Sequence, residues 1–179
     1  MLLMRIKEID GDCKIPGYEK WIMLDNFSFG AERKIESAKQ GGGRDIDTGK
    51  GDSQEFTISK PGDVATVYLM YAAIKHRATG QSAVPFTVDI AFVELRGYGD
   101  QQVKGETKAF LKIRFGKALI KNWSFSGDAD KSPSESITFW YNQVAMSYDS
   151  ATADGKGYQT HGPRGWDQLE GKDWTPSGW

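Results

Sequence analysis

Four oxygen-bearing side chains alternate along one short segment of the chain, spaced like the first ligands of a calcium-binding loop. They are Asp128, Asp130, Ser132 and Ser134. Such a loop also needs a glycine at its sixth position and a bidentate glutamate at its twelfth. Counting from Asp128, these positions hold Pro133 and Phe139. Because Gly, Asp, Pro and Ser commonly turn the chain, the segment indicates a hairpin turn rather than a metal site.

The segment GGGRDIDTGKGD invites comparison with a phosphate-binding loop. A Walker A motif places four residues between its first glycine and its Gly-Lys pair, followed by Ser or Thr and a helix. Here five residues separate Gly43 from Gly49-Lys50, Gly51 follows, and the next patterned segment is a strand. The sequence therefore does not indicate nucleotide binding.

The chain has two histidines and one cysteine, which leaves little material for a metal site or a nucleophile. His76 ends a predicted helix, His161 lies in the C-terminal tail, and Cys13 has no base near it in the sequence. A metal site or a catalytic triad needs several such residues together. We predict no enzyme activity, no metal and no cofactor. A single cysteine also suits a reducing cytoplasm.

The 179 residues suit one domain, and a hydrophobic fraction of 39% permits a real core. Lys and Arg number 23 against 24 Asp and Glu, so there is no overall positive charge to attract nucleic acid or an anionic membrane. No apolar run approaches the roughly 20 residues that span a bilayer. The start, MLLMRIKEIDGDC, is too charged for a signal peptide. We expect no nucleic-acid partner, no membrane insertion and no cleaved signal peptide.

Apolar residues alternate along six segments, which predicts six strands. The segments are 2–9, 19–30, 54–59, 84–96, 106–126 and 134–149. The phase of the long fifth segment breaks at Gly116–Lys117, and that of the sixth breaks near Asn142–Gln143. Such breaks predict β-bulges, which let long strands curve around a barrel. The expected fold class is mainly β: six or more strands form a β-barrel or sandwich, with two packed antiparallel sheets and a helix packed on them.

One flanking α-helix is predicted over about 63–77. Asp63 suits its N-cap, and Gly80 suits its C-terminal end. Between Val64 and Ile74 the only non-apolar residue is Thr66. Because a helix on a monomer surface normally shows one apolar stripe, this helix should be covered on two sides, by its own sheet and by something else.

Two further segments show neither period. Residues 37–53 hold five glycines and almost no large apolar group, so we expect an extended, mobile loop. The tail holds three tryptophans among polar residues, Gly and Pro, and we expect an extension without regular structure whose tryptophans dock on a surface. The predicted organisation is a barrel domain, 1–149, and a C-terminal extension, 150–179.

Three segments, in this order and spacing, resemble the haemolysin-coregulated protein (Hcp) family, the tube-forming proteins of the type VI secretion system. They are GYEKWIMLDNFSFG (17–30), FTISKPGDVATVYLMYAAIKHRATGQSAVPFTVDIAFVEL (56–95) and NWSFSGDADKSPSESITFWYNQVAMSY (122–148). The third is the most specific, with Ser-Gly-Asp and then Pro-Ser-Glu-Ser before an aromatic strand. The resemblance covers about residues 1–149 and not the tail.

The resemblance implies a helix-flanked barrel that assembles into a hexameric ring. Rings would stack into an inner tube that a contractile sheath propels into a target cell, with a spike protein (VgrG-like) at the tip. Small effectors could travel inside the ring, and no catalytic site is implied. The protein would assemble in the bacterial cytoplasm and then be secreted through the type VI machine without a cleaved signal peptide.

The glycine-rich loop and the predicted helix are the candidate subunit or ring interface. The loop is long enough to reach a neighbouring subunit, and the helix is apolar on more sides than its own sheet can cover. The candidate residues are Lys39, Gln40, Arg44, Asp45, Ile46, Asp47, Tyr68 and Tyr71. The alternative is a monomeric β-barrel that binds a carbohydrate or another small ligand through exposed tail tryptophans.

Overall fold

Twelve strands and one α-helix form in the part of the chain that the computed structural model describes, residues 1–37, 46–51, 55–75, 84–96, 106–153 and 157–178. In chain order they are β1 (Leu2–Ile6), β2 (Ile22–Met23), β3 (Asn26–Phe29), β4 (Arg33–Ser37), β5 (Ile46–Gly51), β6 (Glu55–Pro61), α1 (Ala65–Ile74), β7 (Phe86–Arg96), β8 (Glu106–Ser126), β9 (Ser134–Trp140), β10 (Gln143–Ala151), β11 (Tyr158–Asp167) and β12 (Lys172–Asp173).

The barrel wall consists of two antiparallel sheets that share the long strand β8. Neighbours in the first sheet follow the order β12, β11, β10, β8, β7, β1, β2, and in the second β8 pairs with β9, β9 with β6, and β6 with β3. The hydrogen-bonded ladder is not a closed circle, but β3 follows β2 after two residues and links the two sheets. Strand β2 pairs with β1 in the first sheet, and β3 pairs with β6 in the second. The predicted mainly β, helix-flanked barrel is confirmed.

Strand β8 serves both sheets because it bends near its middle. Its first half pairs with β10 and its second half with β9. At the bend, a Cβ on Gly116 would lie 2.3 Å from Oε1 of Gln143, and Lys117 adopts a left-handed φ of 52°. The segment that pairs with β8 is interrupted at the same level, where Tyr141–Asn142 separates β9 from β10. The break predicted at Gly116–Lys117 is confirmed, with a register shift against β7 between Phe86 and Val88. The prediction of one strand over 134–149 with a bulge near Asn142–Gln143 is wrong, since this segment forms two strands that pair in different sheets.

An aromatic cluster fills the barrel centre. The Phe56 ring is stacked with Phe115 at 4.0 Å and with Phe139 at 4.8 Å between ring centroids. Tyr141 lies 4.8 Å from Phe115. All four side chains are at most 1% exposed, so their area is fully removed from water.

The helix α1 is shorter than the predicted range of 63–77 and begins at Ala65. The N-cap position is held by Val64, which makes no side-chain cap hydrogen bond, and not by Asp63 as predicted. Oδ1 of Asp63 nevertheless accepts a hydrogen bond from the Ala65 backbone N–H at 2.9 Å. Lys75 takes an extended backbone conformation, which ends the helix, and the predicted terminal Gly80 lies outside the described residues. No helix in the described part of the chain is long and apolar enough to cross a membrane.

The interpretation of 37–53 as lacking regular structure is wrong for residues 46–51, which form strand β5. This strand pairs antiparallel with β4, with Ile46 opposite Ser37. A ladder of this kind satisfies backbone donors and acceptors without burying apolar side chains, so the polar composition did not exclude it. The connection between the two strands lies outside the described residues.

The interpretation of the tail as an extension without regular structure is also wrong. Strand β11 pairs with β10 at the edge of the first sheet, with Gly165 opposite Ala145, and β12 pairs with β11. A Cβ on Gly165 would lie 2.5 Å from the Trp174 carbonyl oxygen. Glycine at this position therefore allows the backbone at Trp174 to pack directly against β11. Most β11 side chains are exposed, which removes the alternation that predicts strands. The division into 1–149 and 150–179 stays a prediction.

Candidate assembly interface

A buried ionic network holds the start of α1 against the barrel. Nζ of Lys60 lies 2.5 Å from Oε1 of Glu135 and 2.7 Å from Oδ1 of Asp63. The Thr66 hydroxyl donates to Oε1 of Glu135 at 2.5 Å, and the indole N–H of Trp123 donates to Oε2 at 2.7 Å. The Lys60 and Glu135 side chains are 0% exposed. One ammonium group therefore serves two carboxylates, and both oxygens of Glu135 have partners.

Adjacent strands bring the central pair of this network together. Lys60 on β6 lies directly opposite Glu135 on β9, so both side chains project from the same face of the sheet. Each also continues a phase that is otherwise apolar and buried, as Phe56, Ile58, Ile137 and Phe139 show. A charged residue in an inward-facing phase was the available signal, and the sequence-based prediction missed it.

The opposite side of α1 exposes large apolar side chains. Ala65 and Leu69 are buried against the barrel. The exposed set, each between 52% and 64% accessible, is Val64, Val67, Tyr68, Tyr71 and Ile74, and we call it the helix face. A contiguous apolar patch that contains tyrosines is typical of a protein–protein contact surface. Tyr68 and Tyr71, two of the predicted interface residues, both lie on it.

A groove of about 420 Å³ runs beside the helix face. Its walls include Tyr68 and Tyr71 from α1, Val84 and Phe86 near the start of β7, and Leu119 and Ile120 from β8. The groove adds a concave apolar region next to the helix face, into which a side chain of another protein could insert.

The other predicted interface residues belong to the glycine-rich segment. Ile46 and Asp47 lie on β5, opposite Ser37 and Glu36 of β4. Lys39, Gln40, Arg44 and Asp45 lie outside the described residues. The structure therefore brings Tyr68 and Tyr71 together, and a role for the β4–β5 hairpin in assembly stays a prediction.

The run of acids that resembled calcium ligands lies in the turn between β8 and β9. The strands on either side are paired, with Ser126 opposite Ser134, and their hydroxyl oxygens are 3.2 Å apart. Among the described residues, no group of three His, Cys, Asp or Glu is placed to hold a metal ion. The hairpin interpretation of this segment is confirmed.

A second ionic group ties the tail to the outer side of the first sheet. Asp89 on β7 lies between Arg5 on β1 and Arg114 on β8, at 2.7 Å and 2.5 Å. Arg114 also donates to the carbonyl oxygens of Ser177 and Gly178, at 2.6 Å and 3.3 Å. The end of the tail therefore returns across the barrel wall.

The tail tryptophans differ in their surroundings. Trp174 is half-buried over the bend in β8, where its ring would lie 3.2 Å from a Cβ on Gly116. Trp166 is 46% exposed, and Trp179 lies outside the described residues. The prediction that tail tryptophans dock on a surface is confirmed for Trp174.

Asp167 organises the turn between β11 and β12. Its buried carboxylate accepts hydrogen bonds from the Gln143 amide at 2.6 Å and from the backbone N–H groups of Leu169 and Glu170 at 2.9 Å. Burial by itself would raise the pKa of Asp167. The hydrogen bonds from Gln143 and from Glu170, together with the positive charge of Lys117, outweigh burial and lower the pKa to about 2.

We expect Asp167→Asn to lower the free energy of unfolding by about 1–3 kcal/mol at neutral pH, because it removes charge-assisted hydrogen bonds. The folded pKa lies below the unfolded value, so the unfolded state binds more protons in this range. The contribution of Asp167 is therefore complete above about pH 4 and is lost as the pH falls towards 2. Urea unfolding from pH 7 to pH 2 should show the wild-type advantage shrinking below about pH 4.

The matched control is Asp10→Asn, since Asp10 is 61% exposed in an ion pair with Lys20. It should cost little at any pH. An Asp167→Asn deficit that stays constant down to pH 2 would contradict the assignment.

The barrel and the one helix found in the described part of the chain define the class of protein: a mainly β, helix-flanked barrel with an exposed apolar helix. A family model described as "Type VI secretion system effector, Hcp" matches residues 3–148. The chain therefore belongs to the Hcp family of type VI secretion proteins.

Solved structures share the fold. One described as a type six secretion system protein is 26% identical, with a TM-score of 0.75, over 97% of this chain and 98% of that chain. This match includes most of the tail. Hcp1 from Salmonella typhimurium is 15% identical, with a TM-score of 0.65, over 97% of both chains. A chain of an extracellular contractile injection system sheath–tube complex is 15% identical, with a TM-score of 0.56, over 81% of this chain and 86% of that chain. Comparison with curated protein sequences found no match.

Proposed function

We propose that this protein forms hexameric rings that stack into the inner tube of a type VI secretion machine. The observation that carries the proposal is the helix face, a set of apolar side chains more than half exposed in the single chain. Membership of the Hcp family supports the tube role. The similar fold in a sheath–tube complex supports it too.

The buried network makes the helix face suitable for a repeated contact. Lys60 and Glu135 hold the first turn of α1 on the barrel wall, so the exposed side is presented in one orientation. A contact between two different patches, repeated from copy to copy, closes into a ring when the rotation allows it. Rigid presentation also lowers the entropy cost of association.

The proposed partners follow from the tube role. A contractile sheath would surround the stacked rings, a spike protein would cap them, and small effector proteins would occupy the lumen. The tube would leave the cytoplasm through the secretion machine itself. This role is structural and requires no catalytic group or cofactor.

The direct test is to examine the purified protein by size-exclusion chromatography with light scattering and by negative-stain electron microscopy. The proposal predicts a particle of six subunits and annular images. A clean monomer at high concentration would overturn it. Featureless small particles would favour the monomeric ligand-binding barrel.

We expect the double variant Tyr68→Asp/Tyr71→Asp to convert rings into folded monomers. The two side chains are 60% and 54% exposed in the single chain, so the change should cost the monomer little. In the ring it would bury two unpaired charges, and subunit association should weaken by at least about 100-fold. Light scattering would report the loss of the ring, and circular dichroism would report the retained fold.

The matched control is Phe125→Asp, which alters an apolar side chain that is 48% exposed and lies outside the helix face. It should leave the rings intact. Rings of normal size from the Tyr68→Asp/Tyr71→Asp variant would show that the helix face is not the subunit interface.

A further inference from the structure

In the first sheet, three rows of residues that lie opposite one another on neighbouring strands extend the core-facing side from β7 and β8 to β10 and β11. Residues directly opposite each other in an antiparallel pair project to the same side, so each row continues one face. From β7 through β8 and β10 to β11, the rows are Val88–Phe115–Val144–Trp166, Ile90–Ile113–Met146–Arg164 and Phe92–Leu111–Tyr148–His161. The face that forms the core at β7 and β8 is therefore the same face that β10 and β11 present.

Exposure rises along these rows as the sheet leaves the barrel. Phe115 and Ile113 on β8 are 0% and 2% exposed. On the next two strands, Met146 is 38%, Tyr148 48% and Trp166 46% exposed. We call these last three residues the sheet face. It is a continuation of the core surface that is only partly covered in the single chain.

Aromatic contacts make the sheet face continuous with the buried interior. The Tyr148 ring meets Phe110 edge to face at 6.2 Å, and Phe110 lies 6.1 Å from Phe92. Arg164 and Asp173 lie opposite Met146 and Trp166 in the same rows and form a polar margin. An apolar centre of Met, Tyr and Trp with a charged margin is the usual composition of a protein–protein interface.

The helix face and the sheet face are complementary, because each is an apolar surface that another element could cover. A sheet with an apolar side needs a second layer, and a helix is one of the two elements that can provide it. The helix face is apolar and more than half exposed, and it lies beside Leu119 and Ile120, beyond the bend of β8. The sheet face borders Leu111 and Ile113 on the other half of that strand. Two different surfaces on one chain are what a ring contact requires, whereas a self-pairing surface gives a twofold dimer.

We propose that the sheet face of one subunit receives the helix face of the next subunit around the ring. The occupant is thus a second copy of this chain, and Lys75 at the end of the helix face has the charge to pair with Asp173 at the margin of the sheet face. The inference rests on the proposed ring and adds the surface that completes each contact.

A mixing experiment tests this pairing with two variants. The helix-face variant is Tyr68→Asp/Tyr71→Asp, and the sheet-face variant is Met146→Asp/Tyr148→Asp. Each alone should be a monomer by light scattering. An equimolar mixture should give a one-to-one heterodimer that grows no further, because the first variant retains an intact sheet face and the second an intact helix face.

Three outcomes would overturn the pairing or the ring, and they are distinguishable. Rings of normal size from the sheet-face variant would overturn the pairing and leave the proposed function standing. Homodimers of either variant, with no new species on mixing, would show that a face pairs with itself. A monomeric wild-type protein would overturn the ring itself.

Two controls keep the experiment interpretable. Met23→Asp changes a side chain on β2 that is 48% exposed, like Tyr148, and it should leave rings unaffected. If circular dichroism shows that the sheet-face variant is unfolded, Met146→Ser/Tyr148→Ser removes the same contacts without adding charge. It should weaken ring formation at least about 10-fold, and unchanged ring formation would contradict the pairing.

Discussion

Replacing Lys60 with methionine is expected to lower the free energy of unfolding by about 3–5 kcal/mol. The side chain is 0% exposed, and its ammonium group is within 2.7 Å of both Glu135 and Asp63. Without it, the buried carboxylate of Glu135 would lose the cation that the described residues place beside it and could not be hydrated. The first turn of α1 should lose its attachment, so subunit assembly should fail at lower denaturant concentration than in the wild type.

Urea unfolding followed by far-ultraviolet circular dichroism and tryptophan fluorescence measures this loss. The matched control is Lys20→Met, since Lys20 forms a 2.9 Å ion pair with Asp10 in which both side chains are more than 60% exposed. That variant should change stability little. The double variant Lys60→Met/Glu135→Leu should recover part of the loss, because the uncompensated charge is gone. If Lys60→Met were as mild as Lys20→Met, the network would not be what holds the helix.

Replacing Phe56 with alanine is expected to cost about 3–5 kcal/mol of unfolding free energy. The ring is 1% exposed and is stacked between Phe115 and Phe139, which come from different strands of the barrel. Its removal would leave a cavity that the surrounding wall can fill only in part. Chemical denaturation should therefore show a lower midpoint with little change in slope.

Two companion variants sharpen this measurement. Phe56→Leu keeps part of the buried volume and should be less destabilising than Phe56→Ala. Phe125→Ala removes a ring that is 48% exposed and that contacts Trp123 at 5.9 Å, so it should cost about 1 kcal/mol or less. Equal losses for Phe56→Ala and Phe125→Ala would contradict the placement of Phe56 at the centre of the core.

Strands with sustained alternation were predictable from the sequence. The predicted bounds of 106–126 match β8, because apolar residues alternate on either side of the break at Gly116–Lys117. The bend in β8 was also predictable from the sequence, since the alternation of apolar residues is interrupted at Gly116. Strand β11 was not predictable, because an edge strand with exposed side chains carries no alternation.

The candidate interface was predictable only in part. The unbroken apolar composition of α1 indicated a second cover, and Tyr68 and Tyr71 are indeed on the uncovered side. The partnership of Lys60 with Glu135 depends on the register of two strands separated by 75 residues in the chain. No local pattern specifies such a register. The sheet face was equally hidden, since Met146 and Tyr148 alternate as core residues would.

By itself, the sequence determined which side of each strand is apolar and that α1 needs two covers, because side-chain direction repeats locally every two or 3.6 residues. It also carried the motifs by which the family is recognised. Only the tertiary structure decided which apolar sides are buried and which remain uncovered. Burial depends on what lies opposite, and at β10 and β11 the core face continues where the barrel does not cover it.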